Sequence, residues 1–242
     1  VDIITAIIAI TPLFFIMIPQ PVRNTEGDKI SVKGVLKDVG EGFKFIKAWP
    51  GLLVMIFVAA VINFVLAPTG TLLPLMVTQH FQKGVWELSL LESVLGIGIV
   101  IGGLLLGIWG GFKNRVITSL TGVIGLGFGI LLVGLAPSNY FGLAIAGFAL
   151  VGFMNPIANG PLQAIMQSRI PPEMQGRVMS FTTSFCMAMM PLGLLISAPV
   201  VKVTGMPAWF WASGAIVMLV GVAAMMIPNV AQLDKVKMKA KV

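Results

Sequence analysis

The sequence predicts an all-α integral membrane protein, and three observations carry that prediction. The first is composition: of 242 residues, 57% are hydrophobic and only 10% are charged. A soluble domain of this length cannot hide so much apolar surface, because domains of this size still expose a large part of it. The second is run length. Apolar stretches of about 18 residues or more recur along the chain, enough to cross about 30 Å of hydrocarbon. The third is the placing of charge. The net charge of +7 suggests nucleic acid as a partner, but the cations stand at the ends of apolar runs, as a membrane protein requires. Alternation with a period of two is absent. Backbone groups in lipid must be bonded within their own segment, so the runs are helices and not barrel strands.

Seven spans follow in order. The first covers about Ile3 to Ile18. The second covers Gly51 to Val77 and contains Pro68 and Pro74. The third covers Leu88 to Trp109 and the fourth Val116 to Ala136. The fifth covers Phe141 to Met166, with Pro156 and Pro161 inside it. The sixth covers Met179 to Val201, with Pro191 and Pro199, and the last runs from about Trp209 to Ile227. The chain begins with valine, inside an apolar segment, with no charged leader ahead of it. It is expected to be the later part of a longer protein. An odd number of spans fits that expectation.

The connections alternate in charge. Arg23, Lys29, Lys33, Lys37, Lys44 and Lys47, then Lys113 and Arg115, then Arg169 and Arg177, then Lys235, Lys237, Lys239 and Lys241 fall on one side. Only Lys83 and Lys202 fall on the other. The positive-inside rule makes the first side cytoplasmic, in a cell or inner membrane. Between Gln20 and Ala48, Val32, Val35, Leu36, Val39, Phe43 and Ile46 recur at helical spacing between lysines. They describe an amphipathic helix at the inner membrane surface, or else a solvated linker with helical bias. Arg169 to Val178, RIPPEMQGRV, reads as a short basic connection. Pro171 and Pro172 stop the helix before it, and Glu173 to Gly176 form a polar turn.

Catalytic motifs are absent. There is no HExxH, CxxC or GxSxG, and no metal-ligand cluster; His80 is the only histidine and is expected to be solvated in an outer loop. Cys186 is expected to be a small packing residue. The glycine pairs Gly98/Gly102, Gly103/Gly107 and Gly125/Gly129 lack a nucleotide-loop context and read as close helix contacts. Ionisable groups inside spans are costly, so they point to function. Glu92 lies about one turn into the third span, where it would serve either as a proton carrier or as a helix-start carboxylate; Asp2 is a similar candidate in the first span. Asn63 lies midway along the second span. Asn155, Asn159 and Gln163, spaced by four, share a face of the fifth. Such a stripe either lines a wet cavity or bonds a neighbouring helix. Met187, Met189 and Met190 with Phe181 and Phe185 read as one soft apolar surface.

Three stretches resemble a known family. GLLLGIWGGFKNRV (Gly103 to Val116), GFMNPIANGPLQAIMQSRIPPEMQGRVMSF (Gly152 to Phe181) and DVGEGFKFIKAWPGLL (Asp38 to Leu53) resemble the macrolide-efflux and enterobactin-exporter branch of the major facilitator superfamily. The resemblance covers nearly the whole chain. It implies that residues 1–18 are helix six, the last of a preceding bundle. Residues 19–50 would be a cytoplasmic linker, residues 51–228 a C-terminal six-helix bundle of a major facilitator fold, and residues 229–242 a basic cytoplasmic tail. It also implies two bundles rocking about a central cavity, driven by proton antiport, with no other cofactor. The expected partners are the lipid bilayer, the N-terminal bundle of the same protein and a small-molecule substrate, with no nucleic acid.

Export of an apolar or amphipathic compound is the expected function, with Asn63, Asn155, Asn159 and Gln163 in the cavity and Glu92 or Asp2 in proton coupling. Export of a siderophore or other metabolite is the alternative within the class, and a non-transporting membrane scaffold the alternative outside it. An enzyme is not expected. The resemblance makes Gly107, Gly111, Lys113, Arg115, Arg169, Pro171, Pro172, Gln175, Gly176 and Arg177 the candidates for cytoplasmic gating loops. One position departs from the family: the general loop motif carries an aspartate where this chain has Gly111. A carboxylate–arginine latch in that loop would need another partner.

Overall fold

A computed structural model describes residues 40 and 42–234. The chain divides into two units, Val1–Leu36 and Lys37–Val242, and every described residue belongs to the second. The expected first span, Asp2, the linker up to residue 39 and the lysines from Lys235 onward lie outside the described residues.

Among the described residues, six helices are long and apolar enough to cross a membrane. They are α1 (Pro50–Leu75), α2 (Val85–Trp109), α3 (Arg115–Leu135), α4 (Phe141–Arg169), α5 (Pro172–Thr204) and α6 (Met206–Met226). A single turn, α7 (Pro228–Ala231), follows. Among the described residues there is no strand. The six coincide with the six later spans expected from the sequence.

Local chemistry sets the ends. Proline stands at the first or second position of α1, α5 and α6, where its missing N–H costs nothing. The Asn114 side chain accepts the Val116 N–H at 3.0 Å and caps α3. α2 ends at Gly110, whose left-handed backbone (φ +73°) lets its N–H turn back to the Leu106 carbonyl. The stretch from Glu173 to Gly176 is helical, not a polar turn, because Pro172 opens α5 instead of ending a loop. The connection between α4 and α5 therefore shrinks to Ile170 and Pro171.

α1 continues into a π-helical turn, Met76–His80, closed by the Phe81 N–H on the Met76 carbonyl. His80 ends that turn. Its Nε2 lies 2.9 Å from the Ala136 carbonyl at the end of α3, and its ring packs edge-on against Phe81. The expected solvated histidine is thus a tie between two helix ends.

The helices pack in the order α2, α4, α3, α6, α1, α5, each mainly against its neighbours in that row. Missing side chains bring α2 onto α4: an added Cβ on Gly98 would lie 2.8 Å from the Ala149 carbonyl oxygen, and one on Gly102 would overlap the Phe153 backbone. Gly125 and Gly129 press on Met154 and Gly147 of α4 in the same way. Gly103 and Gly107 do not pack as expected. They lie a step around α2 from the contact stripe, and Gly107 has nothing within 4 Å.

One end of the bundle is closed by chain from both sides. Ile46 and Trp49 of the segment before α1, and Val230 and Leu233 after α6, are buried with Leu52, Ile170 and Val178 in one apolar cluster. On its edge Phe43 meets Phe181 (5.4 Å), and Phe181 stacks on Phe185 (5.8 Å). Met187 and Met190 lie exposed instead of on that face, because two or five residues beyond Phe185 is a different side of a helix. The expected single Met–Phe surface is therefore split.

Candidate functional site

Between α1 and α4, with α3 as its floor, lies a cavity of about 250 Å³. α1 contributes Ile62, Asn63 and Leu66 to its wall. α3 contributes Ser119 and Val123, and α4 contributes Asn155, Asn159 and Leu162. Asn63, Asn155 and Asn159 are thus brought together from two helices that make no extensive contact with each other. Gln163 is exposed and lies off the wall. Each step of four residues turns a straight helix about 40° past a full turn. Two steps from Asn155 therefore carry Gln163 around the helix.

The polar groups are held by their own helices. Asn63 Nδ2 donates to the Ala59 carbonyl at 2.8 Å, and Asn159 Nδ2 donates to the Asn155 carbonyl at 3.0 Å. Ser119, 1% exposed, donates its hydroxyl to the Ala158 carbonyl of α4 at 2.5 Å. This stretch of α4 lies between Pro156 and Pro161. Neither proline can donate to the carbonyl four residues earlier, so the helix backbone is less tightly bonded there. Among the described residues, no lysine, arginine, histidine, aspartate or glutamate lines the cavity. A second depression, about 390 Å³, lies between α2 and α4 over Gly98 and is lined by Val94, Ile97, Ile101, Ala149, Leu150 and Phe153. It offers apolar contact and no side-chain hydrogen bond.

Glu92 stands seven residues into α2, about 10 Å along the helix, because α2 starts at Val85 and not at Leu88. The helix-start carboxylate is instead Glu87, whose Oε2 accepts the Gly84 N–H at 2.9 Å. Glu92 is exposed and absent from the cavity wall.

The gating-loop candidates gather at the closed end. Gly111 has φ +80°, and an added Cβ would lie 2.9 Å from Thr118 Cγ2. A side chain added there would be strained and would crowd Thr118. The carboxylate at this end comes from Asp234. Its Oδ1 pairs with Arg169 Nη2 at 3.2 Å, and its Oδ2 accepts the Arg115 N–H at 3.2 Å. Arg115 Nη1 also reaches Ser168 Oγ at 3.4 Å. Asp234 thereby joins the start of α3, the end of α4 and the segment after α7. A negative charge at a helix N-terminus is favourable. Gln175 Nε2 donates to the Gln167 and Ile170 carbonyls (2.8 and 3.0 Å) and so caps the end of α4. Lys113 is exposed, and a Cβ added at Gly107 or Gly176 would meet no atom of the described residues within 4 Å. Arg177 sits one turn beyond Met174 and contacts its sulfur. Sequence reasoning missed Asp234 because it read residues 229–242 as basic; the available signal was a lone acid before four alternating lysines.

Six long apolar helices, with a polar-flecked cavity lined by three of them and charged connections tied at one end, are the architecture of a multi-pass membrane protein. The sequence profile of the Major Facilitator Superfamily matches residues 1–194, and the chain belongs to that superfamily. Among known proteins it is 28% identical over 236 residues to macrolide efflux protein A of Streptococcus pyogenes, covering 97% of this chain and 57% of that protein. It is 29% identical over 196 residues to macrolide efflux protein A of Enterococcus faecalis (80% and 59% covered). It is 30% identical over 208 residues to the multidrug efflux pump Tap of Mycolicibacterium fortuitum (85% and 49% covered). The chain thus spans roughly half to three-fifths of the length of these relatives.

Proposed function

We propose that this chain is the substrate-binding C-terminal bundle of a secondary transporter that exports an apolar or amphipathic small molecule. The observation that carries the proposal is the cavity between α1 and α4. Polar side chains in lipid are rare and usually face an interior or a water-filled space, and here three carboxamides from two helices converge on one space. The efflux activities named for the relatives agree with that reading. Further support comes from α2 and α5, which expose long apolar faces at the two ends of the row; a second six-helix bundle would cover them. The end carrying Lys113, Arg115, Arg169 and Arg177 would face the cytoplasm, next to anionic lipid.

Proton antiport is the proposed driving force, with Glu92 the candidate carrier. It sits two turns inside a span and faces away from its own bundle, where a second bundle would enclose it. The native-length protein in liposomes should export a fluorescent amphipathic dye against its gradient when an inward proton gradient is imposed. Glu92→Gln should abolish the response to the gradient while leaving dye binding in place. Normal export and normal pH dependence in that variant would remove Glu92 from the mechanism. Absence of dye-dependent stabilisation and of any transport would favour a scaffold.

A further inference from the structure

We infer that the groove between α2 and α4 seats one anionic phospholipid, its acyl chain over Gly98 and its phosphate at Lys113. The groove, about 390 Å³, is walled by apolar side chains, among them Ile97 and Ile101 of α2 and Ala149, Leu150 and Phe153 of α4. Gly98 lies beneath it, where α2 meets the α4 backbone too closely for a side chain. The side of the bundle on which the groove opens decides what can fill it. At about 100° per residue, Ala149, Leu150 and Phe153 centre about half a turn around α4 from Asn155, Ala158, Asn159 and Leu162 of the cavity. On α2, Ile97, Ile101 and Ile108 stand roughly 140–180° from Glu92. A second bundle set over the cavity and Glu92 therefore leaves the groove facing lipid, and cargo held in the cavity does not reach it.

The neighbouring features are those of a headgroup site. From the groove the exposed face of α2 continues through Leu104 and Ile108, 63% and 87% exposed, toward the end that carries the basic connections. Ile97 to Ile108 spans about 16 Å at 1.5 Å per residue, close to half of the roughly 30 Å of hydrocarbon. An acyl chain whose headgroup sits at the end of α2 thus reaches the groove. At that end Trp109 and Phe112 pack edge to face at 4.8 Å, both exposed, as aromatic rings do at headgroup level. Lys113 follows, exposed and in no salt bridge among the described residues. A cation there attracts an anionic headgroup. The groove touches the chain on two sides, where a plain helix face touches it on one.

The test is native mass spectrometry of the native-length protein in detergent, titrated with dioleoyl phosphatidylglycerol. One phosphatidylglycerol should be retained more tightly than any further copies. Dioleoyl phosphatidylcholine, with the same chains and no net charge, should bind about fivefold more weakly, and Lys113→Gln should weaken phosphatidylglycerol by about the same factor. Dihexanoyl phosphatidylglycerol, too short to reach the groove, should show no tight copy. Ala149→Phe and Ile97→Trp, which fill the groove from its two walls, should each remove the tight copy. Lys113→Gln changes only an exposed side chain, so it decides the matter even where a groove variant unfolds. Lys44→Gln/Lys47→Gln, on the segment before α1, should leave the tight copy in place. The inference is overturned if the two dioleoyl lipids bind alike, if both groove variants keep the tight copy, or if the Lys44/Lys47 pair and not Lys113 removes it. Association of two protein copies through the groove, abolished by Ile97→Trp, would also overturn it. Transport activity has no part in the readout, so the transport reading stands or falls separately.

Discussion

α3 and α5 are both apolar enough to span a membrane, yet the bundle treats them in opposite ways. In the most apolar stretch of α3, 61% of residues are buried among neighbouring helices; in that of α5 the share is 11%, and in that of α2 it is 17%. Hydropathy is the same kind of signal in all three. What differs is position in the row: α3 is flanked by α4 and α6, whereas α2 and α5 stand at its ends. The lesson is that lipid-compatible sequence and packing surface are separate properties. Composition reports the first, and the second depends on which helices stand beside each one.

That contrast predicts where substitutions will hurt. The largest effect is expected at the α2–α4 contact. Gly102→Leu drives a side chain into the Phe153 backbone and should cost about 3 kcal/mol, the upper part of the usual overpacking range. Gly107→Leu, five residues on in open space, should be close to neutral. Thermal unfolding in detergent compares the two directly. Equal effects would mean that α2 docks on another face.

The closed end comes next. Asp234→Ala removes the acceptor of both Arg169 and the Arg115 N–H. With the two side chains 23% and 13% exposed, the cost should be about 2 kcal/mol, between the values for surface and buried pairs. Asp234→Asn, which keeps the shape and an acceptor, should cost less. The double variant Arg169→Met/Asp234→Ala should be more stable than the sum of the single changes predicts, as expected for partners. Unfolding midpoints of the four proteins make that cycle.

Ser119→Ala should cost about 1 kcal/mol by stranding the Ala158 carbonyl of one bond. The smallest effect belongs to the unpartnered edge. Leu195, 71% exposed on α5, should tolerate Ser within about 0.5 kcal/mol of the bundle's own stability. The same change should weaken association with a second bundle if one covers this face, measurable as loss of cross-linking from a cysteine placed at Val203.

Much of this architecture is legible in the sequence. Span length and proline punctuation locate all six described helices, because lipid leaves the backbone few alternatives. The pairing of Asn63 with Asn155 and Asn159 is only half legible. Spacing by four places two of them on one face, but nothing local says that α1 lies opposite α4. Gln163 fails for a geometric reason, since a period of four drifts around a helix of 3.6 residues per turn. Asp234 and His80 were obscure because their partners, Arg169 and Ala136, are 65 and 56 residues away in the chain. Composition near such a residue describes its neighbours in sequence and not in space.

The central claim is that the α1–α4 space is a wet cavity and not a dry helix contact. Single cysteines at Asn155 and Asn159, in a Cys186→Ser background, should react in membranes with a water-soluble maleimide. A cysteine at Leu195 on the exposed apolar face should react far more slowly. Complete protection at positions 155 and 159, with labelling no faster than at position 195, would contradict the account.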